Sequence, residues 1–229
     1  IGTDASFIQA ILVGLTNLVF TVIALLTIDK LGRKPLLAFG VAGIALSMFL
    51  LAYGFSSATY SLTAETIAVL PETVDQSSLE PLIGTIYNSD IEFQGAMVTA
   101  LGPDIFSQFK TDLVTAAISM NPMLILFAIL GFVASFAISI GPVMWVLFSE
   151  LFPNKIRGIA ISFVGLINSA VSFIVQWVFP WELDTLGNVL TFTIYGVFAA
   201  LGFIFIIRVI PETKGKSLEE IEAQLVKED

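Results

Sequence analysis

The sequence predicts an all-α membrane protein that crosses the bilayer five times, and three observations carry that prediction. Apolar residues make up 56% of the 229-residue chain and charged residues only 13%, with a mean hydropathy of +0.93. A soluble domain is charged at about a quarter of its positions. Uncharged runs occupy residues 5–28, 35–64, 113–149, 158–181 and 185–207, and one helical crossing needs about 20 apolar residues. Cap and turn residues cut these runs to the length of single helices.

Taken in order, the first span covers 5–28 and the second 35–55, joined by the turn Asp29-Lys30-Leu31-Gly32-Arg33-Lys34. Gly32 permits the reversal there, and Pro35 opens the second helix. The run 113–149 is too long for one crossing. Asn121-Pro122 pairs an N-cap residue with Pro at the first helical position, so the third span is 121–149. Inside it, Pro142 removes a backbone donor and crowds the preceding turn, which predicts a bend. Pro153, Pro180 and Pro211 end the third, fourth and fifth helices, giving spans of 158–179 and 188–208.

Residues 56–120 form a long acidic external loop between the second and third spans. Within 56–112, eight carboxylates (Glu65, Glu72, Asp75, Glu80, Asp90, Glu92, Asp104 and Asp112) face a single base, Lys110. The segment reads as a solvated loop, with a short amphipathic helix around Asp104, Phe106 and Phe109 leading back to the membrane. Residues 209–229 form a tail, in which Ser217 and Glu220 spell a capping box for a short helix from Leu218 to about Val226.

Charge placement orients the spans. Lys30, Arg33, Lys34, Lys155, Arg157, Arg208, Lys214, Lys216 and Lys227 fall on one side and only Lys110 on the other. The excess of bases on cytoplasmic loops puts the first residue outside and the tail in the cytoplasm. Chain beginning and span count mark a fragment: residue 1 is Ile, and five spans with opposite termini make an incomplete half of a six-helix repeat.

Composition also removes whole classes of chemistry. With no Cys and no His there is no disulfide, no thiolate or imidazole metal site, and no Ser-His or Cys-His nucleophile. The chain is therefore expected to be no enzyme and to hold neither metal nor cofactor. No nucleic-acid partner is expected either. Gly215-Lys216-Ser217 resembles the end of a phosphate-binding loop, but Ile210 stands where that motif needs Gly.

Several residues remain as candidates. Asn17 and Asn168 sit near the middle of their spans, where an unpaired amide costs several kcal/mol. Each is helix–helix glue or a contact for a neutral polar ligand. By position Trp145 reads as an interfacial aromatic. Glu150 and Arg157 are close enough in sequence to meet as an ion pair at the membrane surface. No Asp, Glu, Lys or Arg lies well inside a span.

Three motifs then carry a resemblance: D-x-x-G-R-K at 29–34, G-P-x-x-W-x-x-x-x-E-x-x-P-x-x-x-R-G at 141–158, and P-E-T-K-G at 211–215. In this order and spacing the chain resembles the sugar porters of the major facilitator superfamily, most of all their bacterial xylose–proton symporter type. The likeness covers nearly everything except 56–112. It implies that the five transmembrane helices are helices eight to twelve, forming most of the C-terminal six-helix half of a twelve-helix major facilitator fold. It implies a secondary active transporter of a monosaccharide, hexose or pentose, across a plasma membrane or bacterial inner membrane by sugar–proton symport and alternating access. Facilitative uniport is the alternative, and a non-transporting sugar sensor a weaker one. On the same resemblance Asn17, Phe136, Gly141, Trp145 and Asn168 contact the sugar. Asp29, Arg33, Glu150, Arg157 and Glu212 form a cytoplasmic ion-pair network that holds the two halves together when the site opens outward. The implied partners are the monosaccharide, a co-transported proton, the lipid bilayer and the missing N-terminal half of the same transporter. Ser169 stands where the family often has Trp.

Overall fold

A computed structural model describes residues 3–68, 70, 71, 76–216 and 220. Helix α1 (Thr3–Leu31) is followed by α2 (Arg33–Ser56), a short strand β1 (Thr59–Ser61) and the single turn α3 (Ala64–Ala68). After two 3-10 turns come β2 (Ile86–Tyr87), α4 (Asp90–Leu101), α5 (Pro103–Ala117) and β3 (Ile118–Ser119). The apolar helices α6 (Pro122–Ile138), α7 (Ile140–Leu151) and α8 (Arg157–Val209) complete the chain. Among the described residues, four helical runs are long and apolar enough to cross a membrane: Phe7–Leu31, Arg33–Ser56, Pro122–Leu151 and Arg157–Val209.

One helix start is fixed by a side-chain cap. The Asn121 side-chain oxygen accepts from the backbone N–H groups of Met123 and Leu124 at 3.1 and 3.2 Å, so α6 begins at Pro122 as expected. Two expectations change. The turn 29–34 shrinks to Gly32, because α1 continues through Leu31 and α2 restarts at Arg33. Pro180 does not end a helix; it lies within α8, and the break falls instead at Gly187 (φ 77°, ψ 167°). A proline removes one helical hydrogen bond, which a helix survives with a bend, whereas positive φ takes the backbone out of the helix altogether. Unbroken, α8's 53 residues would rise roughly 80 Å, against roughly 30 Å of hydrocarbon core. The tail helix expected over 218–226 lies, apart from Glu220, outside the described residues.

Contacts divide the chain into two compact units. One comprises Ile1–Phe49, Leu126–Val178 and Ile194–Asp229; the other comprises Leu50–Ile125 and Phe179–Thr193. In the first, α2 and α6 approach through small residues. A Cβ at Gly40 would lie 1.8 Å from the Ser139 hydroxyl, and one at Gly43 would lie 2.3 Å from that of Ser135. Gly131 and Ser135 on α6 and Ser139 just beyond it recur every four residues, the small-x-x-x-small spacing by which membrane helices gain close packing without water to drive them together. Ile28, Leu36, Leu37, Val143 and Leu147 form a buried cluster beside this seam. Large apolar residues such as Phe7, Leu26, Ile159 and Trp177 stay exposed, as lipid-facing positions do.

The second unit corrects the expectation of a solvated loop over 56–120. Its strands pair antiparallel in the order β2-β1-β3, with Tyr60 opposite Tyr87 and Thr59 opposite Ser119. Tyr60 stacks on Phe93, and Leu62, Leu79, Met97 and Leu113 close a core around them. Acidic composition concealed this core because the carboxylates sit between apolar residues rather than replacing them. The amphipathic helix expected near Asp104 is α5, with Phe106 buried.

One carboxylate of this unit is itself buried. Asp90 accepts from the backbone N–H of Asn188 at 2.9 Å and from its side-chain amide at 2.7 Å, capping the arm of α8 that restarts after Gly187. A Cβ at Gly187 would lie 2.8 Å from the same carboxylate, so both φ and space reserve this position for glycine. Burial pushes the Tyr60 phenol up to about 12; the Asp90 carboxylate adds to the shift and a hydrogen bond with Asn188 opposes it.

Two outcomes are expected. Asp90→Ala should destabilise this unit by about 2 kcal/mol, the worth of bonds to a charged acceptor at a helix start. The change is read as an earlier thermal midpoint and faster proteolysis within 56–120, and an unaltered midpoint would refute the cap. For Tyr60, the folded chain keeps its proton from the ordinary value of 10.0 up to about 12 while the unfolded chain loses it. Its contribution is thus complete at lower pH and declines as pH rises through that window. Tyr60→Phe should flatten this decline in alkaline denaturation.

Candidate functional site

At the basic end of the first unit, the three motifs meet. The Glu212 carboxylate accepts from the backbone N–H of Arg33 at 3.1 Å and of Lys34 at 3.2 Å, and so caps the start of α2. Negative charge there also complements the helix dipole. The same carboxylate accepts from the N–H of Lys214 at 2.9 Å, which curls the tail around it. Gly32 (φ 98°) completes this arrangement, since a Cβ would sit 2.6 Å from a Glu212 oxygen.

A second carboxylate, Glu150 at the end of α7, takes the Arg33 guanidinium on both of its oxygens. The Nη2–Oε1 distance is 2.7 Å, and Nε lies 3.1 and 3.2 Å from the two oxygens. Both side chains are half-buried or better, at 13% and 23% exposure, so water screens the pair weakly. The Thr213 hydroxyl donates to the other Glu150 oxygen at 2.6 Å, and the Lys214 ammonium donates to the Lys30 carbonyl at 2.5 Å. Asp29 pairs with Arg33 at 3.0 Å from an 80% exposed position.

The expected Glu150–Arg157 pair does not form. Glu150 is taken by Arg33 and Thr213. Arg157 instead donates from Nε to the Phe152 carbonyl at 3.2 Å, and its buried Nη2 has no partner among the described residues. Sequence proximity suggested the nearer base; the α2 turn brings a closer one from 117 residues away. Thr213 and Lys214 were missed as participants, although both belong to P-E-T-K-G.

The five residues implicated in sugar contact also lie in this unit. The helix α6–α7 breaks at Ser139 (φ −126°, ψ −93°), one turn before Pro142, where the proline ring would strike the helical carbonyl of Ile138. Its hydroxyl donates to the Ser135 carbonyl at 2.6 Å, so the break is bridged by a side chain. The bend sets Gly141 beside Phe136: a Cβ would be 3.5 Å from that ring. Trp145 is 46% exposed, meets Phe148 edge-on at 6.2 Å, and lies 3.9 Å from where a Cβ at Gly165 would be. Asn168 is exposed one turn beyond Gly165 on α8. Phe136, Gly141 and Trp145 are thus neighbours along the bend, with the Asn168 face of α8 alongside. Asn17 is exposed on α1 and accepts from the Thr21 hydroxyl at 3.1 Å; no described polar bond joins it to the other four.

Comparison with known proteins agrees with these motifs. The family profile described as "Sugar (and other) transporter" matches residues 1–70 and 93–225. The D-xylose-proton symporter of Escherichia coli (strain K12) is 32% identical over 227 residues, covering 96% of this chain and 34% of its own length. The arabinose-proton symporter of Bacillus subtilis (strain 168) is 33% identical over 230 residues, covering 99% and 36%. A crystal structure of a double-tryptophan variant of XylE superposes with a TM-score of 0.66 at 32% identity, covering 97% of this chain and 35% of that one. The chain therefore spans about a third of the length of these relatives.

The knot at the basic end makes an asymmetric prediction. Glu150→Ala strands a half-buried guanidinium and should cost about 2 kcal/mol, whereas Asp29→Ala removes an exposed partner and should cost under about 1 kcal/mol. Thermal unfolding of both variants in detergent micelles checks this; equal losses would show that burial does not set the strength of the pair.

Proposed function

Because the chain belongs to the Sugar (and other) transporter family, we propose that it forms most of the C-terminal half of a twelve-helix secondary transporter that carries a monosaccharide by alternating access with proton symport. Five crossings follow: α1, α2, the bent pair α6–α7, and the two arms of α8 on either side of Gly187. The basic end faces the cytoplasm, and residues 56–120 face outward. The relatives named for xylose–proton and arabinose–proton symport support a sugar substrate and coupled protons.

The observation that carries the reading is the knot in which Glu150 and Glu212 join all three motif segments. Such a cluster is strong while dry and weak once water enters, so it suits a cytoplasmic gate. Arg157, with Nη2 unsatisfied among the described residues, supplies a donor for a carboxylate of the other half. Nearer mid-membrane, Asn17, Asn168 and Trp145 offer neutral amides and a ring to sugar hydroxyls and to the sugar's apolar face. No carboxylate lies at that depth among the described residues, so on this reading the proton-carrying group belongs to a part of the transporter outside this chain.

The test is uptake of labelled xylose into vesicles containing the full-length transporter. Trp145→Ala or Asn168→Ala should weaken sugar binding roughly tenfold, the effect of about 1.4 kcal/mol, and calorimetry showing unchanged affinity for both would remove them from the site. Lowering external pH should raise uptake; pH-independent uptake would favour uniport. A single cysteine at position 155, in a full-length background whose other cysteines have been replaced, reports on the gate. Arg157→Ala should increase its labelling, and unchanged labelling would sink the gating role.

A further inference from the structure

A cleft of about 410 Å3 lies between α2, α7 and the second arm of α8, and its walls are apolar side chains throughout. Its size falls in the range of roughly 300–1,000 Å3 typical of small-ligand pockets. Leu37, Val41 and Ile44 line it from α2, Phe148 from α7, and Gly202 and Phe205 from α8. None of the residues assigned to sugar or gate belongs to this lining. Walls without an amide or hydroxyl offer a sugar no compensation for its lost water, whereas a hydrocarbon chain restores dispersion contacts that a void forfeits.

Two of the lining stripes run toward a base at the same end. Positions 34, 37, 41 and 44 recur at helical spacing, so Lys34 extends the α2 stripe by one turn. On α8, Arg208 follows Phe205 by three residues. Lys34 is half-buried and Arg208 exposed, and neither forms an ion pair among the described residues. Adjacent bases are already engaged: Arg33 by Glu150 and Asp29, Lys214 by the Lys30 carbonyl. An apolar slot with Lys34 one turn from its α2 stripe and Arg208 one turn beyond Phe205 fits an amphiphile with an anionic head and a hydrocarbon tail.

We propose that this cleft binds one acyl chain of an anionic glycerophospholipid, whose phosphate is held by Lys34 and Arg208. The site is separate from the sugar site and rests only on these helices being membrane-spanning. A bound chain would fill the space between α2, α7 and α8 on the flank of the gate, so that lipid occupancy stiffens the helix ends that carry Arg33 and Glu150.

The experiment places the full-length transporter in nanodiscs with lipids that carry a photoactivatable diazirine in one acyl chain, and maps the labelled peptides. Phosphatidylglycerol should label the Val41–Ile44 turn of α2 and the turn around Phe205 far more than phosphatidylcholine does. Each base contributes a factor of roughly five to the attraction for an anionic headgroup, so the double variant Lys34→Gln, Arg208→Gln should lose roughly 25-fold. Gly202→Leu, on helical backbone and facing Val41 at ordinary contact distance, should abolish labelling with both bases still in place. Equal labelling by the two headgroups, or labelling that survives the double variant, overturns the proposal. Absence of label from α2 and α8 also overturns it, because another segment of the transporter then covers the cleft. Loss of sugar uptake with lipid labelling intact would count against the transport reading alone.

Discussion

Two carboxylates, Glu150 and Glu212, hold together segments as much as 179 residues apart in the chain. Glu212 ties the start of the tail to α2 by binding the first free N–H groups of that helix, and Glu150 holds the arginine that opens it. The two roles are coupled, since Arg33 offers its backbone to one carboxylate and its side chain to the other. Both need Gly32, the only residue type that turns the chain with positive φ and leaves room for the Glu212 oxygens. Sequence neighbours at 29–34, 141–158 and 211–215 therefore act as one object, and the helices behind them inherit their end positions from it.

Away from that knot each unit is held together internally by its own means. The membrane unit has few large buried side chains and exposes Phe, Leu, Ile and Trp along α1 and α8, so its cohesion comes from the close seam of Gly40 and Gly43 against Ser135 and Ser139. The other unit builds a core of the soluble kind, with Tyr60, Phe93 and Met97 stacked beneath a small sheet. That contrast follows from solvent: apolar surface gains by leaving water but gains little by leaving lipid.

Much of this was legible in the residues. Asn121 and Pro122 place a helix start correctly because a cap is a local bond, formed within three positions. Pro142 announces a bend, and the break appears one turn upstream, where the ring collides. Pro180 and Gly187 mislead in combination: both disfavour helix, and only the positive φ at Gly187, held under Asp90, decides which one breaks it. Glu150 was expected to pair with Arg157 of its own motif, and the turn of α2 brings Arg33 against it instead. The core of 56–120 went unread because its strands are two or three residues long, too short to show periodicity.

Hydrophobic run length, caps and motif order were enough, before any coordinates, to establish a multi-pass membrane protein with sugar-porter motifs, because each of those signals is local or repeated along the chain. Partner choice was not: which base Glu150 holds, which side chains line the cleft beside Leu37, and how Asp90 comes to cap a helix nearly a hundred residues away depend on long-range approach. Those outcomes turn on tenths of a nanometre between backbones, and only the folded chain sets such distances.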